Sequence, residues 1–575
     1  MVSLTINGNQ VTVQEGATIL DAAEAAGVQI PTLCYLKDIC DVGACRICVV
    51  EIEGDERLSA ACNTTAREGM VIHTHSGRVL DARQVILQLM LSNHNVDCTA
   101  CFRSNSCKLQ KLCQDHNILE VPYAKKLRPD RWPKESPLKR DASKCVKCMR
   151  CMMYCEKVQT MGIWDISGSA VHLTINVADG KKINQSECSL CGQCIINCPV
   201  GCLSARDDAD KVLEAIRDPE KVVIVQIAPA IRTAWAEGFD IDRQEASVGK
   251  MVAAVRALGV DYVFDTTFTA DLTVMEEANE LLERIGNKDG HKWPMFTSCC
   301  PGWVRYMKAR HPELTPNLST AKSPQQMFGA IAKTWFAPRE GIDPDKIVVV
   351  SIMPCIAKKH ECALPGMDSA GHGQDVDIVI TNREFAKLIR SFNVNPATLG
   401  EEEFDDLLGQ GSGAGVIFGS TGGVMEAALR SAHYFVTGEN PDPDAFSGIR
   451  TDSGIKELSV EINGAMVRAA VVSGLGNVKE MIRAIESGQA EYDFVEVMAC
   501  PGGCGGGGGQ PINSAGQPIV ARNAVLYALD KKSKHRFAHE NTTIAKVYEE
   551  LLEGPLSRKS HELLHCDHNA WEMPI

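Results

Sequence analysis

At 575 residues the chain exceeds what a single hydrophobic core organises, so several domains are expected. A hydrophobic content of 45% and a charged content of 23% are those of a globular protein, while a formal net charge of −14 argues against a nucleic-acid partner. The 25 cysteines set it apart, because disulfide-rich secreted proteins are short; clustered thiols in so long a chain read as metal ligands in a reducing, cytoplasmic compartment. The start, MVSLTINGNQVTV, has no basic region followed by an apolar run, and no uninterrupted apolar stretch of about 18 residues follows, so neither a secretory signal nor a membrane span is expected.

Residues 1–78 open with two short alternating stretches, 4–6 and 11–13, around an Asn7-Gly8 turn, and Thr18 precedes a helical pattern. Cys34, Cys45, Cys48 and Cys62 then flank a strand predicted over 47–52. Their spacing resembles the small β-grasp ferredoxin domain, whose [2Fe–2S] cluster needs four thiolates. A structural zinc is the competing reading, disfavoured because zinc sites pair two closely spaced two-cysteine knuckles.

Residues 79–119 place His94, Cys98, Cys101 and Cys107 after a helix predicted over 79–90. Three cysteines leave one corner of a cubane without a donor, and imidazole suits iron. The pattern resembles the [4Fe–4S] module with one histidine and three cysteine ligands found in the electron-entry part of respiratory NADH dehydrogenase, which leaves Cys113 as a bystander. Next comes a basic segment, Lys125, Lys126, Arg128, Arg131, Lys134, Lys139, Arg140, Lys144 and Lys147, interrupted by Pro129, Pro133 and Pro137. It reads as a solvated linker or as a patch that docks an acidic electron carrier.

Residues 137–206 contain an internal repeat, Cys145, Cys148, Cys151, Cys155 and then Cys188, Cys191, Cys194, Cys198 followed by Pro199. This is the bacterial two-cluster ferredoxin signature, in which the fourth cysteine of each run ligates the other cluster. One [4Fe–4S] cluster is therefore expected on Cys145, Cys148, Cys151 and Cys198, the other on Cys188, Cys191, Cys194 and Cys155. Glu156 stands where proline is usual after the first run.

From residue 208 to 545 the texture is α/β. Runs at Val222–Ile227, 347–352, 377–380 and 416–418 read as buried parallel strands alternating with amphipathic helices. Several end at a special residue, Ala228-Pro229, Pro354-Cys355 or Gly419, where ligands of open α/β sheets gather. Residues 546–575 are expected to be a helical tail.

Three motifs carry the chemistry: Thr297-Ser298-Cys299-Cys300-Pro301-Gly302-Trp303, Met353-Pro354-Cys355-Ile356-Ala357-Lys358-Lys359, and Met498-Ala499-Cys500-Pro501-Gly502-Gly503-Cys504. In this order they are similar to those of the [FeFe]-hydrogenases, and the resemblance covers essentially the whole chain. It implies an α/β multidomain protein: the β-grasp ferredoxin, the one-histidine module, the two-cluster domain, then a two-lobed catalytic domain with parallel sheets. It also implies reversible reduction of protons to dihydrogen at an H-cluster, a [4Fe–4S] cubane joined to a diiron subsite bearing CO, CN and a bridging dithiolate. One [2Fe–2S] and three accessory [4Fe–4S] clusters would feed it.

By this resemblance Cys300, Cys355, Cys500 and Cys504 hold the cubane, with Cys504 bridging to the diiron subsite. Cys299 exchanges the proton, in an environment expected to lower its thiol pKa. Adjacent residues in extended chain point to opposite sides, so Cys299 and Cys300 need not serve one metal. Lys358 would set its ammonium against a cyanide, while Met353, Met498, Gln325, Pro229 and Ala230 line the cofactor; Ala230 replaces a serine of some relatives. Gly505 to Gly509 is a longer glycine run than the family usually shows, and a looser loop is expected there. Glu277, Glu280 and Arg284 recur at helical spacing and, with Ser319, match the family's proton relay; without the resemblance the same spacing reads as a salt-bridged surface helix, with Leu281, Leu282 and Ile285 facing the core.

Plant-type [2Fe–2S] centres sit near about −400 mV and cubanes reach lower, which suits hydrogen chemistry. No Gly-x-Gly-x-x-Gly fingerprint follows a strand, so a pyridine nucleotide would bind elsewhere. The resemblance extends to the catalytic subunit of NAD(P)-linked, electron-bifurcating hydrogenases. The implied partners are H2 and protons, ferredoxin, a flavin- and NAD(P)-binding subunit, a small [2Fe–2S] subunit and maturation proteins. The alternatives are a free-standing ferredoxin-dependent hydrogenase and a non-catalytic electron-transfer or cluster-assembly protein.

Overall fold

The computed structural model describes all residues except 105, 128–130, 170, 171, 240, 244, 514, 515 and 575. Of the basic segment, Arg128 and Pro129 therefore lie outside the described residues.

Val2–Ile6 and Asn9–Val13 form the expected hairpin. Its turn puts Asn7 at φ 51° and Gly8 at φ 86°, the pair of positive values that a two-residue turn matching strand twist requires. The sheet runs Asn9–Val13, Val2–Ile6, Val71–His73, Val49–Ile52, Ser59–Ala60. Thr18 caps the helix Ile19–Ala25 reciprocally with Asp21, and Ile19 and Ala22 bury against Ile6, Val50 and Ile72. The helix Gly77–Ser92 follows, and its buried Arg83 donates to the backbone oxygens of Ile47 and Val49, fastening it beside the first group of cysteines.

The repeat in sequence is a repeat in structure. The helices Arg150–Lys157 and Gln193–Asn197 each begin after a left-handed residue, Met149 and Gly192, so each cysteine run turns into its helix the same way.

The remainder holds two four-stranded sheets. The first is fully parallel, in the order Tyr262–Asp265, Val222–Ile227, Ile347–Met353, Ile378–Thr381. The second runs Met295–Phe296, Phe494–Met498, Ala465–Ser473, Gly454–Ile462, and only its last pair is antiparallel. The strand expected at 416–418 is absent: Val416 and Ile417 belong to the helix Gly413–Ile417, which Ser412 caps, with Phe418 at its C-terminal end. A three-residue apolar run does not distinguish a buried strand from a buried helix, and the hydrogen-bonding serine at the start decided it.

The tail is helical over Thr542–Val547 and Arg558–Leu564, joined by a π-helical turn. It folds back over the first lobe, burying Leu552, Leu563 and Leu564 in that lobe's core. Side chains tie the cysteine-repeat segment to the two sheets, among them Gln159, whose Nε2 donates to Ala499 O at 2.9 Å, Gln193, whose Nε2 donates to Gly506 O at 2.8 Å, and Arg305, whose Nε donates to Cys188 O at 2.8 Å. Among the described residues no helix is long and apolar enough to cross a membrane.

Candidate metal centre

The carboxyl ends of parallel strands from both lobes converge on one cavity. Ala228, Pro229 and Ala230 follow Val222–Ile227, Pro354 and Cys355 follow Ile347–Met353, and Thr266 follows Tyr262–Asp265. Met498, Cys299 and Cys300 arrive from the second sheet, and Cys504, Gln325, Lys358 and Gly419 complete the wall. Gly419 leaves a helix rather than a strand, yet reaches the same wall. Cys299 and Cys300 both line this cavity, so their sequence neighbourhood does not send them to separate sites.

Cys500 stands just behind the wall, its thiol donating to Cys191 O at 3.6 Å, which sets the second cysteine run directly against the cavity. Burial pushes these cysteines up, Cys355 to about 12, with Cys300, Cys500 and Cys504 also raised, and the charges of neighbouring thiols add to the rise at Cys355, Cys500 and Cys504. Thiols that penalise one another's ionisation in a buried site are the donor set that a bound cation turns into thiolates. Gln325 Oε1 is buried here without a hydrogen-bond partner. These residues fit a metal–sulfur group.

Cys299 departs from expectation. Burial, then the carboxylate of Glu277 and the charge of Cys300, raise its pKa well above the usual thiol value rather than lowering it. The group holds its proton firmly until an acceptor or a positive charge is presented. Lys358 is also committed, donating to Cys299 O at 3.1 Å and to Glu361 Oε2 at 2.9 Å. Glu361, which also accepts from Ser323 and Gln325, went unnoticed in the sequence, although its place three residues beyond Lys358 puts both on one helical turn.

Glu277, Glu280, Arg284 and Ser319 are all buried, which removes the surface-helix reading. Glu277 is 0% exposed, and neither of its oxygens has a hydrogen-bond partner among the described residues. Burial and then the charge of Glu280 push its carboxyl up to about 8. Ser319 Oγ donates to Glu280 Oε2 at 2.8 Å, and Arg284 Nη2 to Glu280 Oε1 at 2.6 Å. Leu281 is buried, while Leu282 and Ile285 are only half-buried.

The glycine run is tight, not loose. Gly505 to Gly509 are all buried. A Cβ on Gly507 would meet Pro354 O at 2.3 Å, and one on Gly508 would meet Cys191 O at 2.5 Å. The run is close-packed against backbone on two sides, Pro354 and Pro501 of its own lobe at Gly506, Gly507 and Gly509, and the Cys191-Gly192 turn at Gly508.

Cys34, Cys45, Cys48 and Cys62 are buried together. Cys34 hydrogen-bonds to Cys45 and Cys62 to Cys48, which lowers Cys45 to about 6 and Cys48 to about 7. His94 is buried, and its Nδ1 donates to Lys144 O at 2.9 Å, leaving the lone pair of Nε2 free, the arrangement common among metal-binding histidines. It lines a cleft with Cys98, Cys107 and Cys113; Cys101 is placed apart, its sulfur against Gly201. Cys145, Cys148, Cys151 and Cys198 line one cavity together with Cys202. Cys155 and Cys194 each feel the charges of Cys188 and Cys191, so these four form the other group.

Comparison with known proteins accounts for this layout. Residues 221–508 match the iron only hydrogenase large subunit, C-terminal domain, and 517–571 the iron hydrogenase small subunit. Residues 1–77 match a 2Fe-2S iron-sulfur cluster binding domain, 83–122 the NADH-ubiquinone oxidoreductase-G iron-sulfur binding region, and 181–204 a 4Fe-4S binding domain. The chain is 45% identical to the NADP-reducing hydrogenase subunit HndD of Solidesulfovibrio fructosivorans, over 98% of both chains. It is 40% identical to Iron hydrogenase 1 of Clostridium pasteurianum, over 98% of this chain and 99% of that one. Apo [FeFe]-hydrogenase HydA1 from Chlamydomonas reinhardtii superposes with a TM-score of 0.58 at 38% identity, covering 64% of this chain and 99% of that one. Fold and site thus define an iron-only hydrogenase domain preceded by iron–sulfur domains. The chain belongs to the [FeFe]-hydrogenase family and is an enzyme of that class.

Proposed function

We propose that this chain is the catalytic subunit of a cytoplasmic, NAD(P)- and ferredoxin-linked hydrogenase complex that bifurcates electrons. The observation that carries this reading is the 45% identity, end to end, with a protein named as the subunit of an NADP-reducing hydrogenase. Its partners would be ferredoxin, a flavin- and NAD(P)-binding subunit and a small [2Fe–2S] subunit, with maturation proteins supplying the diiron group. A free-standing ferredoxin-dependent enzyme is the second reading, favoured by the equally complete match to Iron hydrogenase 1. Anaerobic purification from the native host separates them: a chain that emerges without flavoprotein and small [2Fe–2S] subunits defeats the complex.

In this reading Cys34, Cys45, Cys48 and Cys62 hold a [2Fe–2S] cluster, and His94 with Cys98, Cys101 and Cys107 the first [4Fe–4S] cluster. The crossed sets of the two-cluster domain hold the next two. Cys300, Cys355, Cys500 and Cys504 hold the cubane of the H-cluster, against the pocket made by Pro229, Ala230, Gln325, Met353, Lys358 and Met498. The bound group supplies the metal chemistry by which protons and electrons become dihydrogen. The protein's own contribution is to move protons and exclude water. Cys299 holds a proton at the cavity wall, Glu277 is poised near neutral pH to exchange it, and Ser319, Glu280 and Arg284 continue the line outward. Cys299→Ala should abolish turnover while infrared bands from iron-bound diatomics persist. Fully maturated protein that shows no such bands and evolves no dihydrogen from reduced viologen would refute the centre itself.

A further inference from the structure

The last α-helix, Arg558–Leu564, delivers the chain to a segment that lies antiparallel to residues 320–322. Lys322 N donates to Leu564 O and Cys566 N to Thr320 O, both at 2.8 Å, so the tail is stitched to the stretch that begins at Ser319. Between these bonds the His565 side chain, 7% exposed, turns inward. Its Nδ1 is 2.8 Å from Thr320 Oγ1 and its Nε2 is 3.0 Å from Glu276 Oε2. Glu276 is fully buried and also accepts from Tyr548 Oη at 2.6 Å and Leu556 N at 2.9 Å.

Glu276 and Glu280 are one turn apart on the helix Thr267–Gly286, so they share a face and flank this stretch. Thr320 links the two. Its N–H points to Glu280, 3.2 Å from Oε2 and 3.3 Å from Oε1, and its hydroxyl points to His565. The carboxylate of Glu276 only accepts, so Nε2 carries the imidazole proton; in the neutral ring Nδ1 then accepts from the Thr320 hydroxyl. Glu276 and His561, whose ring centre is 4.3 Å away, face the ring, and Tyr548 acts on it only through Glu276, to which its hydroxyl donates.

We infer that His565 is a positioning residue for the proton relay: through Thr320 it fixes the Glu280 carboxylate that Ser319 and Arg284 address. This rests on the relay reading above and gives the C-terminal segment a part in proton transfer. A carboxylate misplaced by about 1 Å in a proton line slows transfer severely. His565→Phe keeps the bulk and removes both nitrogen atoms; it should lower kcat for dihydrogen evolution about tenfold and displace its pH profile, leaving KM for the electron donor unchanged. His565→Gln, whose amide reaches both partners, should restore most of the rate. Thr320→Val, nearly isosteric, should reproduce the slow phenotype and decides the matter if His565→Phe fails to fold.

A second readout avoids turnover. In protein lacking the diiron group, the infrared carboxyl band assigned by its loss in Glu280→Gln should shift in Thr320→Val. Activity within about twofold of wild type in Thr320→Val and in any folded His565→Phe, or an unmoved Glu280 band, overturns the inference. If Glu280→Gln itself turns over normally, the relay reading has failed; if it is slow while the His565 and Thr320 variants are not, only the inference has.

Discussion

The Nζ of Lys358 lies 3.1 Å from the backbone oxygen of Cys299 and 2.9 Å from Oε2 of Glu361, so one buried cation ties the cysteine at the cavity wall to a buried carboxylate. Burial works against the ammonium, but Glu361 outweighs it, and the Lys358 pKa stays above its ordinary value. The positive charge is thus held at the cavity wall beside Cys355 and Cys299 rather than lost to desolvation.

Lys358→Met strands Glu361 in a dry site. Removing one member of a buried pair costs about 3–5 kcal/mol, so the melting temperature should fall together with activity. Adding Glu361→Gln removes the stranded charge, and the double variant should recover part of the stability but none of the turnover. Differential scanning calorimetry beside a viologen assay reads both; equal melting temperatures for Lys358→Met and wild type would show the pair to be idle.

Glu277 offers a pH test. Its folded pKa, about 8, is raised above that of an exposed carboxyl, so the folded state binds the extra proton. That stability is fully present at low pH and is lost as pH rises through about 8. Glu277→Gln keeps the shape of the neutral carboxyl and cannot ionise. It should therefore match wild type near pH 5 and become the more stable of the two by about pH 8, in denaturant titrations at each pH. Turnover should fall by about 10²–10⁴, the ordinary worth of a group that transfers a proton.

Much of the fold was legible in the chain because local spacing encodes turns and helices. Cys145 to Cys155 and Cys188 to Cys198 each specify a turn and a helix within about ten residues, and the strands ending at Ala228 and Cys355 announce themselves by β-branched runs. What stayed hidden depends on distant segments meeting. Nothing near Glu277 reveals its burial, Cys500 is 309 residues from the Cys191 carbonyl it touches, and His565 reaches Thr320 only because the tail returns. The helix at Val416 was hidden for a different reason, since burial on all sides erases the periodicity that separates helix from strand.

The iron-sulfur binding region over residues 83–122 poses a question of ligand choice. Cys113 lines the cleft with His94, Cys98 and Cys107, but it is fixed within the helix Lys108–Asp115. Cys101 follows a single short turn, Cys98–Ala100. The expected outcome is that Cys101→Ser and His94→Ala each remove one [4Fe–4S] signal from the electron paramagnetic resonance spectrum of reduced protein, whereas Cys113→Ser removes none. Loss of the signal in Cys113→Ser with retention in Cys101→Ser would exchange their roles.

The contact between Gly508 and the Cys191 loop is where the 4Fe-4S binding domain over residues 181–204 meets the hydrogenase domain. A methyl group at Gly508 would come within 2.5 Å of Cys191 O and 2.6 Å of Gly192 Cα, both backbone atoms without a flexible side chain to yield. Gly508→Ala should destabilise by about 1–3 kcal/mol, as overpacking does. Because the intruding methyl pushes on the loop carrying Cys191, electron delivery to the catalytic centre should slow as well, seen as slower reoxidation of the accessory clusters when protons are the only acceptor. Gly400→Ala is the control: a Cβ there meets nothing within 4 Å, and the residue is exposed. If Gly508→Ala melts and transfers electrons like the control, the tight junction has no bearing on either property.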